Sequence, residues 1–236
     1  MRILIIIPAY NEDENILGVV TGLRQQTPDY DYLVINDGST DATLNILRQE
    51  KIPHLNLSVN LGIGGVVQTG YIYALENDYD IAIQLDGDGQ HDPAQIASLL
   101  TPILNNEADL IIGSRFLNSD ASTFQSTWLR RLGIRWISQL LYLCTDVRIH
   151  DATSGFRATN RHLIAFYAQD YAQDYPEPEA ILSAAQAGFK LKEVPVQMRE
   201  RQGGISSINS LQPLYYMLKV SLAILLRYLG LINKGV

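Results

Sequence analysis

Short apolar runs rich in Ile and Val recur at Ile3–Ile7, Tyr32–Ile35, Leu55–Val59, Ile81–Leu85 and Leu110–Ile112. Helical patterns lie between the first four and again before the last. Runs of this length, bounded by turn residues, read as buried strands. Strand and helix in regular alternation predict an α/β class: a mostly parallel sheet with helices on both faces. Ligands of such sheets sit at the carboxyl ends of the strands. The polar clusters fall there, at Pro8–Glu12, Asn36–Asp41 and Asp86–Gln90, so three strand ends converge on one crevice.

The second half reads differently. Thr127–Cys144 has apolar residues at Leu129, Leu132, Ile137, Leu140 and Leu141 and basic ones at Arg130, Arg131 and Arg135, which predicts an amphipathic helix with a basic flank. Regularity then weakens through Asp151–Arg157 and the Pro-rich Tyr175–Glu179. A helix at Ala180–Ala187 stops at Gly188, an edge-type strand at Leu191–Val196 carries Pro195, and Arg199–Asn209 reads as a loop. Leu211–Leu229 is apolar at close to helical period, but Lys219 and Arg227 interrupt it. It therefore falls short of the ~20 apolar residues of a spanning helix. An amphipathic, membrane-proximal helix, lying on a membrane surface or docked on a small membrane protein, is expected. The expected division is one domain over residues 1–209 and this appendage over 210–236.

Charge limits the partners. The net charge of -7 conceals a cationic end: from Gln186 onward seven Lys or Arg face two Asp or Glu, leaving residues 1–185 at -12. Nucleic acid is not an expected ligand of such a body. Cys144 is the only cysteine, so no internal disulfide forms. The apolar start runs at once into Pro8 and acidic residues, as a buried strand does and a signal peptide does not. The expected location is cytoplasmic.

Asp86-Gly87-Asp88 ends a buried strand, placing two carboxylates at its polar end. A hard cation takes one or two carboxylates and completes its shell with phosphate oxygens and water. Asp-Gly is also a common turn pair, so the triplet alone reads equally as a polar turn. Asn36-Asp37-Gly38-Ser39-Thr40-Asp41 ends another strand and opens a helix, offering a carboxylate to ribose or base donors, or simply a capped turn. Asn60-Leu61-Gly62-Ile63-Gly64-Gly65 is a Gly-rich junction that matches neither a dinucleotide fingerprint nor a P-loop.

The ordered set Ile6-Ile7-Pro8-Ala9-Tyr10-Asn11-Glu12, Asn36–Asp41, Asn60 with its glycines, and Asp86-Gly87-Asp88-Gly89-Gln90-His91 resembles the family 2 glycosyltransferases. It is most similar to the dolichol- and undecaprenyl-phosphate sugar transferases. Gly113-Ser114-Arg115, Ser154-Gly155-Phe156-Arg157 and Arg199–Ser207 also match patterns of that group. The resemblance implies a GT-A type, Rossmann-like fold and an inverting transfer from a nucleotide-sugar donor. Pro8, Tyr10, Glu12 and Asp37 would bind the nucleoside, and Asp86, Gly87 and Asp88 would face the diphosphate. Asp86 and Asp88, with Gln90, would hold Mn²⁺ or Mg²⁺. Arg115 would lie beside the donor sugar or acceptor phosphate, and Arg199 or Arg201 would close over the diphosphate.

The acceptor implied is a polyprenyl phosphate, undecaprenyl or dolichyl, at the inner membrane face; it is already anionic and needs no base. Asp151 is then the acid of interest. The alternative acceptor is a hydroxyl of a growing polysaccharide, which needs a general base within reach, and Glu177 and Glu179 are the candidates. A third reading is a non-catalytic nucleotide-sugar-binding subunit. Asn36 departs from the family, where many relatives have Asp. Ser207 stands where mannose-transferring relatives tend to have Lys, so neither mannose nor guanosine is implied.

Overall fold

A computed structural model describes residues 1–117, 128–199 and 212–231. The first half alternates as expected: β1 (Ile3–Ala9), α1 (Ile16–Gln26), β2 (Asp31–Asn36), α2 (Thr43–Gln49), β3 (His54–Asn56), α3 (Gly62–Glu76) and β4 (Ile81–Gln84). A short 3₁₀ turn at Pro93–Gln95 leads into α4 (Ile96–Leu104) and β5 (Leu110–Ser114). There follow α5 (Trp128–Thr145), β6 (Arg157–Asn160), α6 (Arg161–Gln169), α7 (Pro176–Gln186), β7 (Leu191–Pro195) and α8 (Gln212–Tyr228).

One mixed sheet runs in the order β3-β2-β1-β4-β6-β5-β7. Only β6 is antiparallel to its neighbours, β4 and β5. Every residue of β1 is buried, as a central strand covered on both faces requires. Its alternating side chains feed two cores. Leu4 and Ile6 pack with Leu33, Ile35 and residues of α3, α5, α6, α7 and α8. Ile3, Ile5 and Ile7 pack with Val34 and residues of α1, α2 and α4. Burying each such Ile contributes about 1.5–3 kcal/mol.

Register decides where the polar strand ends meet. Ala9 pairs with Asn36, and Ile6 with Gln84. Beyond the strands the Asp37 N–H donates to Ala9 O at 2.9 Å and the Gly87 N–H to Pro8 O at 3.2 Å. The residues after β1, β2 and β4 therefore sit level at one edge of the sheet.

Two elements differ from the sequence reading. The Pro-rich segment is the first turn of α7: Pro176 sits at its start, where a missing N–H costs nothing, and Glu177 and Glu179 lie in the first turn, favoured by the helix dipole. Strand β6 arises from the segment read as irregular. It carries the fully buried Arg157, whose guanidinium donates to the carbonyls of Ser154, Glu177 and Ala152 at 2.7, 3.0 and 3.3 Å.

Helix α8 contributes Val220 and Ile224 to the core, while Leu218, Leu222, Leu225 and Tyr228 are exposed. Arg227 pairs with Asp170 and reaches Glu179 at 3.7 Å. No helix among the described residues is long and apolar enough to cross a membrane.

Candidate active site

The strand ends and the start of α7 enclose a cavity of about 940 Å³, a volume suited to a nucleotide-sized ligand. Of the residues proposed from sequence, Pro8, Tyr10, Glu12, Asp37, Asp86, Gly87, Asp88 and Glu177 line it. Gln90, Arg115, Asp151, Glu179 and Arg199 do not. Arg201 lies outside the described residues. The cavity also gathers Asp41, the last residue of the Asn36–Asp41 motif, and Asp13, Glu14 and Asp174, to which the sequence reading gave no site role. Asp13 and Glu14 follow directly on the motif that ends at Glu12, whereas Asp174 lies beyond any motif, just before the Pro-rich segment.

Among the described residues nine carboxylates thus line the cavity, and no Lys or Arg does. Such a cavity repels a bare diphosphate and admits one only with a compensating cation. Among the described residues no three His, Cys, Asp or Glu side chains converge tightly enough to hold a metal unaided. Asp86 and Asp88 therefore fit a cation as partial ligands whose shell phosphate oxygens and water complete, as Mg²⁺ prefers.

The two segments after β1 and β2 are tied together. The Asn11 N–H donates to Ser39 Oγ at 3.0 Å, the Thr40 N–H to Asn11 Oδ1 at 2.8 Å and the Glu12 N–H to Thr43 Oγ1 at 2.9 Å. Asn11 itself adopts φ 55°, which Asn tolerates better than most residues. Asp37 is buried, and its carboxylate accepts from the N–H groups of Leu61 and Gly62 at 2.7 and 3.0 Å, capping the start of α3. The Tyr10 ring stands 48 % exposed at the mouth, open to stacking.

Gly87 lets Asp86-Gly87-Asp88 pass β1 closely: a Cβ there would lie 2.9 Å from Pro8 O. Asp88 Oδ1 accepts from the Gln90 N–H at 3.0 Å, and the Asp86 N–H donates to His91 Nδ1 at 3.1 Å. The next residues are pinned to Met198 and Arg199. The Arg199 N–H donates to Gln90 O at 2.9 Å, His91 bridges to Met198, and the exposed Arg199 guanidinium pairs with Asp92 at 3.0 Å.

Arg115 and Asp151 meet each other. Arg115 Nε and Nη2 donate to the two oxygens of Asp151 at 2.7 and 2.6 Å, and its backbone N–H adds a third bond at 3.0 Å. Glu193 on β7 anchors this pair by accepting from the Asp151 and His150 N–H groups, each at 2.8 Å. Nothing in the sequence spacing marked Glu193 as part of this constellation.

Of the two acids of α7, Glu177 faces the cavity and Glu179 faces Arg227 on α8. Burial pushes the Glu177 carboxyl above the usual glutamate range; Arg157 opposes the shift, Asp86 adds to it and Arg115 opposes it. Burial also raises Glu179, against the charge of Arg227.

The sequence profile of glycosyl transferase family 2 matches residues 4–166. The chain belongs to that family. This family 2 chain is 29% identical over 229 residues to the polyprenol monophosphomannose synthase of Mycolicibacterium smegmatis, covering 93% of this chain and 86% of that protein. It is also 29% identical to the UDP-N-acetylglucosamine–dolichyl-phosphate N-acetylglucosaminyltransferase of Methanococcus voltae, over 83% of this chain and 84% of that one. The undecaprenyl-phosphate mannosyltransferase of Micrococcus luteus is similar at 29% identity, over 89% and 88%.

Among solved structures, glucosyl-3-phosphoglycerate synthase from Mycobacterium tuberculosis, in complex with Mn²⁺, UDP and glucosyl-3-phosphoglycerate, superposes with a TM-score of 0.71. Identity is 19%, and the match covers 100% of this chain and 82% of that one. A complex of that enzyme with Mg²⁺ and UDP gives the same score at 20% identity. The likeness establishes a GT-A-like fold.

Proposed function

We propose that this family 2 glycosyltransferase moves a sugar, with inversion, from a nucleotide diphosphate to a polyprenyl phosphate at the cytoplasmic membrane face. The observation that carries this reading is the acidic cavity, which joins Asp86 and Asp88 to a recess of nucleotide size with no basic lining residue among the described residues. The acceptor class is supported by the relatives, three of which are named for transfer to polyprenyl, dolichyl or undecaprenyl phosphate.

Pro8, Tyr10, Glu12 and Asp37 frame the nucleoside, and Gly87 brings backbone close to the diphosphate. A divalent cation, Mn²⁺ or Mg²⁺, held by Asp86 and Asp88 with Gln90 assisting, supplies positive charge to the departing nucleotide diphosphate. Neither carboxylate serves as base. Asp151 aims the Arg115 guanidinium, which steadies the sugar or the acceptor phosphate. Arg199 or Arg201 supplies further positive charge to the diphosphate.

Residues 1–209 are read as the catalytic domain and residues 210–236 as the membrane-facing appendage. Packed helices α5 and α8 expose Leu132, Trp136, Leu143, Leu218 and Leu222, with exposed Arg131 and Arg135 on α5. This combination of apolar and cationic side chains suits an anionic bilayer surface.

The test is incubation of the protein with Mn²⁺, undecaprenyl or dolichyl phosphate and a panel of nucleotide sugars. A lipid-linked sugar from at least one donor, lost in Asp88→Asn, is expected; no lipid-linked product from any donor contradicts the proposal. A hydroxyl acceptor on a growing polysaccharide is the second reading, favoured by Glu177 facing the cavity with a raised pKa. On that reading Glu177→Gln loses turnover by about 10²–10⁴-fold; on the first it retains most of it.

A further inference from the structure

We infer that His91 and Gly155 are positioning residues that set the Asp86 carboxylate for cation binding. The inference rests on the reading that Asp86 and Asp88 hold a divalent ion, and it gives a role to the Ser154-Gly155-Phe156-Arg157 segment. Three contacts converge on Asp86 from outside the metal triplet.

The first is His91, which is buried with its ring stacked on Phe156 at 4.8 Å and an interplanar angle of 16°. Its Nδ1 accepts the Asp86 backbone N–H, so the neutral ring carries its proton on Nε2. Nε2 lies 3.8 Å from Asp86 Oδ2. That is beyond hydrogen-bond length, yet it directs a donor at the same carboxylate whose backbone the ring holds.

The second is Gly155. A Cβ at this position would lie 2.8 and 3.0 Å from the two Asp86 oxygens and 3.0 Å from Gln84 Nε2. A side chain here would displace the Asp86 carboxylate or the Gln84 amide, so glycine lets the segment leading into β6 lie against the carboxylate as it stands. The backbone of Gly155 is outside the left-handed region, so the missing side chain serves space and not conformation.

The third is Gln84 on β4. Its Nε2 faces Asp86 Oδ1 at 3.4 Å, and its Oε1 is buried with no hydrogen-bond partner among the described residues. An unsatisfied buried acceptor is costly. Its retention beside the carboxylate fits an amide whose orientation is set by Asp86. Supporting groups of this kind orient metal-binding carboxylates and tune affinity 10–100-fold.

The experiment is Mn²⁺ titration of the full chain, alone and with UDP or GDP, following the electron paramagnetic resonance signal of free Mn²⁺. Gly155→Ala and His91→Phe are expected to bind Mn²⁺ at least about ten-fold more weakly than the unmodified chain. His91→Asn, whose amide oxygen can replace Nδ1 as acceptor, is expected to recover part of the loss. Affinity unchanged in both Gly155→Ala and His91→Phe overturns the positioning role and leaves the metal reading standing. Losses that track a fall in the melting temperature of the metal-free variants, without recovery in His91→Asn, also overturn it. If Asp86→Asn binds Mn²⁺ as the unmodified chain does, or the unmodified chain binds none, the metal reading itself fails.

Discussion

Glu177 and Asp151 carry the sharpest consequences of single side chains. Because burial raises the folded-state pKa of Glu177, its stabilising contribution is complete below the unfolded value of about 4.5 and is lost as pH rises through the folded value. Glu177→Gln in metal-free protein is therefore expected to match the unmodified chain in melting temperature below pH 4.5 and to exceed it increasingly above. Parallel melting curves across that range contradict the assignment. Asp151 is fully buried against Arg115, whose side chain is 7% exposed. Asp151→Asn removes the negative charge from this buried, doubly hydrogen-bonded pair, an expected loss of about 3–5 kcal/mol in chemical denaturation. The sequence placed Asp86, Asp88 and Asp37 at one crevice because each follows a run of buried aliphatic residues. It could not show that Asp151 meets Arg115, since a contact across 36 residues between two loops leaves no periodic trace.

At the scale of elements, legibility followed burial pattern. Strands β1, β2 and β4 were readable because aliphatic runs covered on both faces announce themselves. Strand β6 was not, because it is inserted antiparallel and built from Arg157, Ala158, Thr159 and Asn160, a polar run whose arginine is satisfied by three carbonyls. The start of α7 was hidden by Pro176 and Pro178, which read as breakers but are tolerated in a first turn. Helix α8 divides its residues between two duties that substitutions can separate. Ile224→Ala removes a fully buried side chain and is expected to cost about 2–5 kcal/mol. Leu222→Ser, at a side chain 56 % exposed, is expected to cost less than about 0.5 kcal/mol while weakening flotation with anionic vesicles. Equal vesicle binding by Leu222→Ser and the unmodified chain, extended to Leu218→Ser, removes α8 from the membrane-facing surface.

For the whole molecule, charge and topology act together. The sheet carries three strand ends to one cavity lined by nine carboxylates, while exposed cations such as Arg131 and Arg135 on α5, Lys219 on α8 and Arg199 stand outside it. That separation was partly visible in the sequence as the contrast between an acidic body and a cationic end. The identity of donor sugar and base was not, because pocket shape sets it and spacing does not. Mass spectrometry of the lipid fraction after the purified chain is mixed with polyprenyl phosphate and a pool of nucleotide sugars bears on the central claim most directly. A polyprenyl phosphate heavier by one sugar residue, formed with Mn²⁺ or Mg²⁺ and abolished by a chelator, is the expected result. A lipid fraction unchanged in mass while sugar accumulates on a hydroxyl acceptor, or product formed equally well with the metal removed, would contradict it.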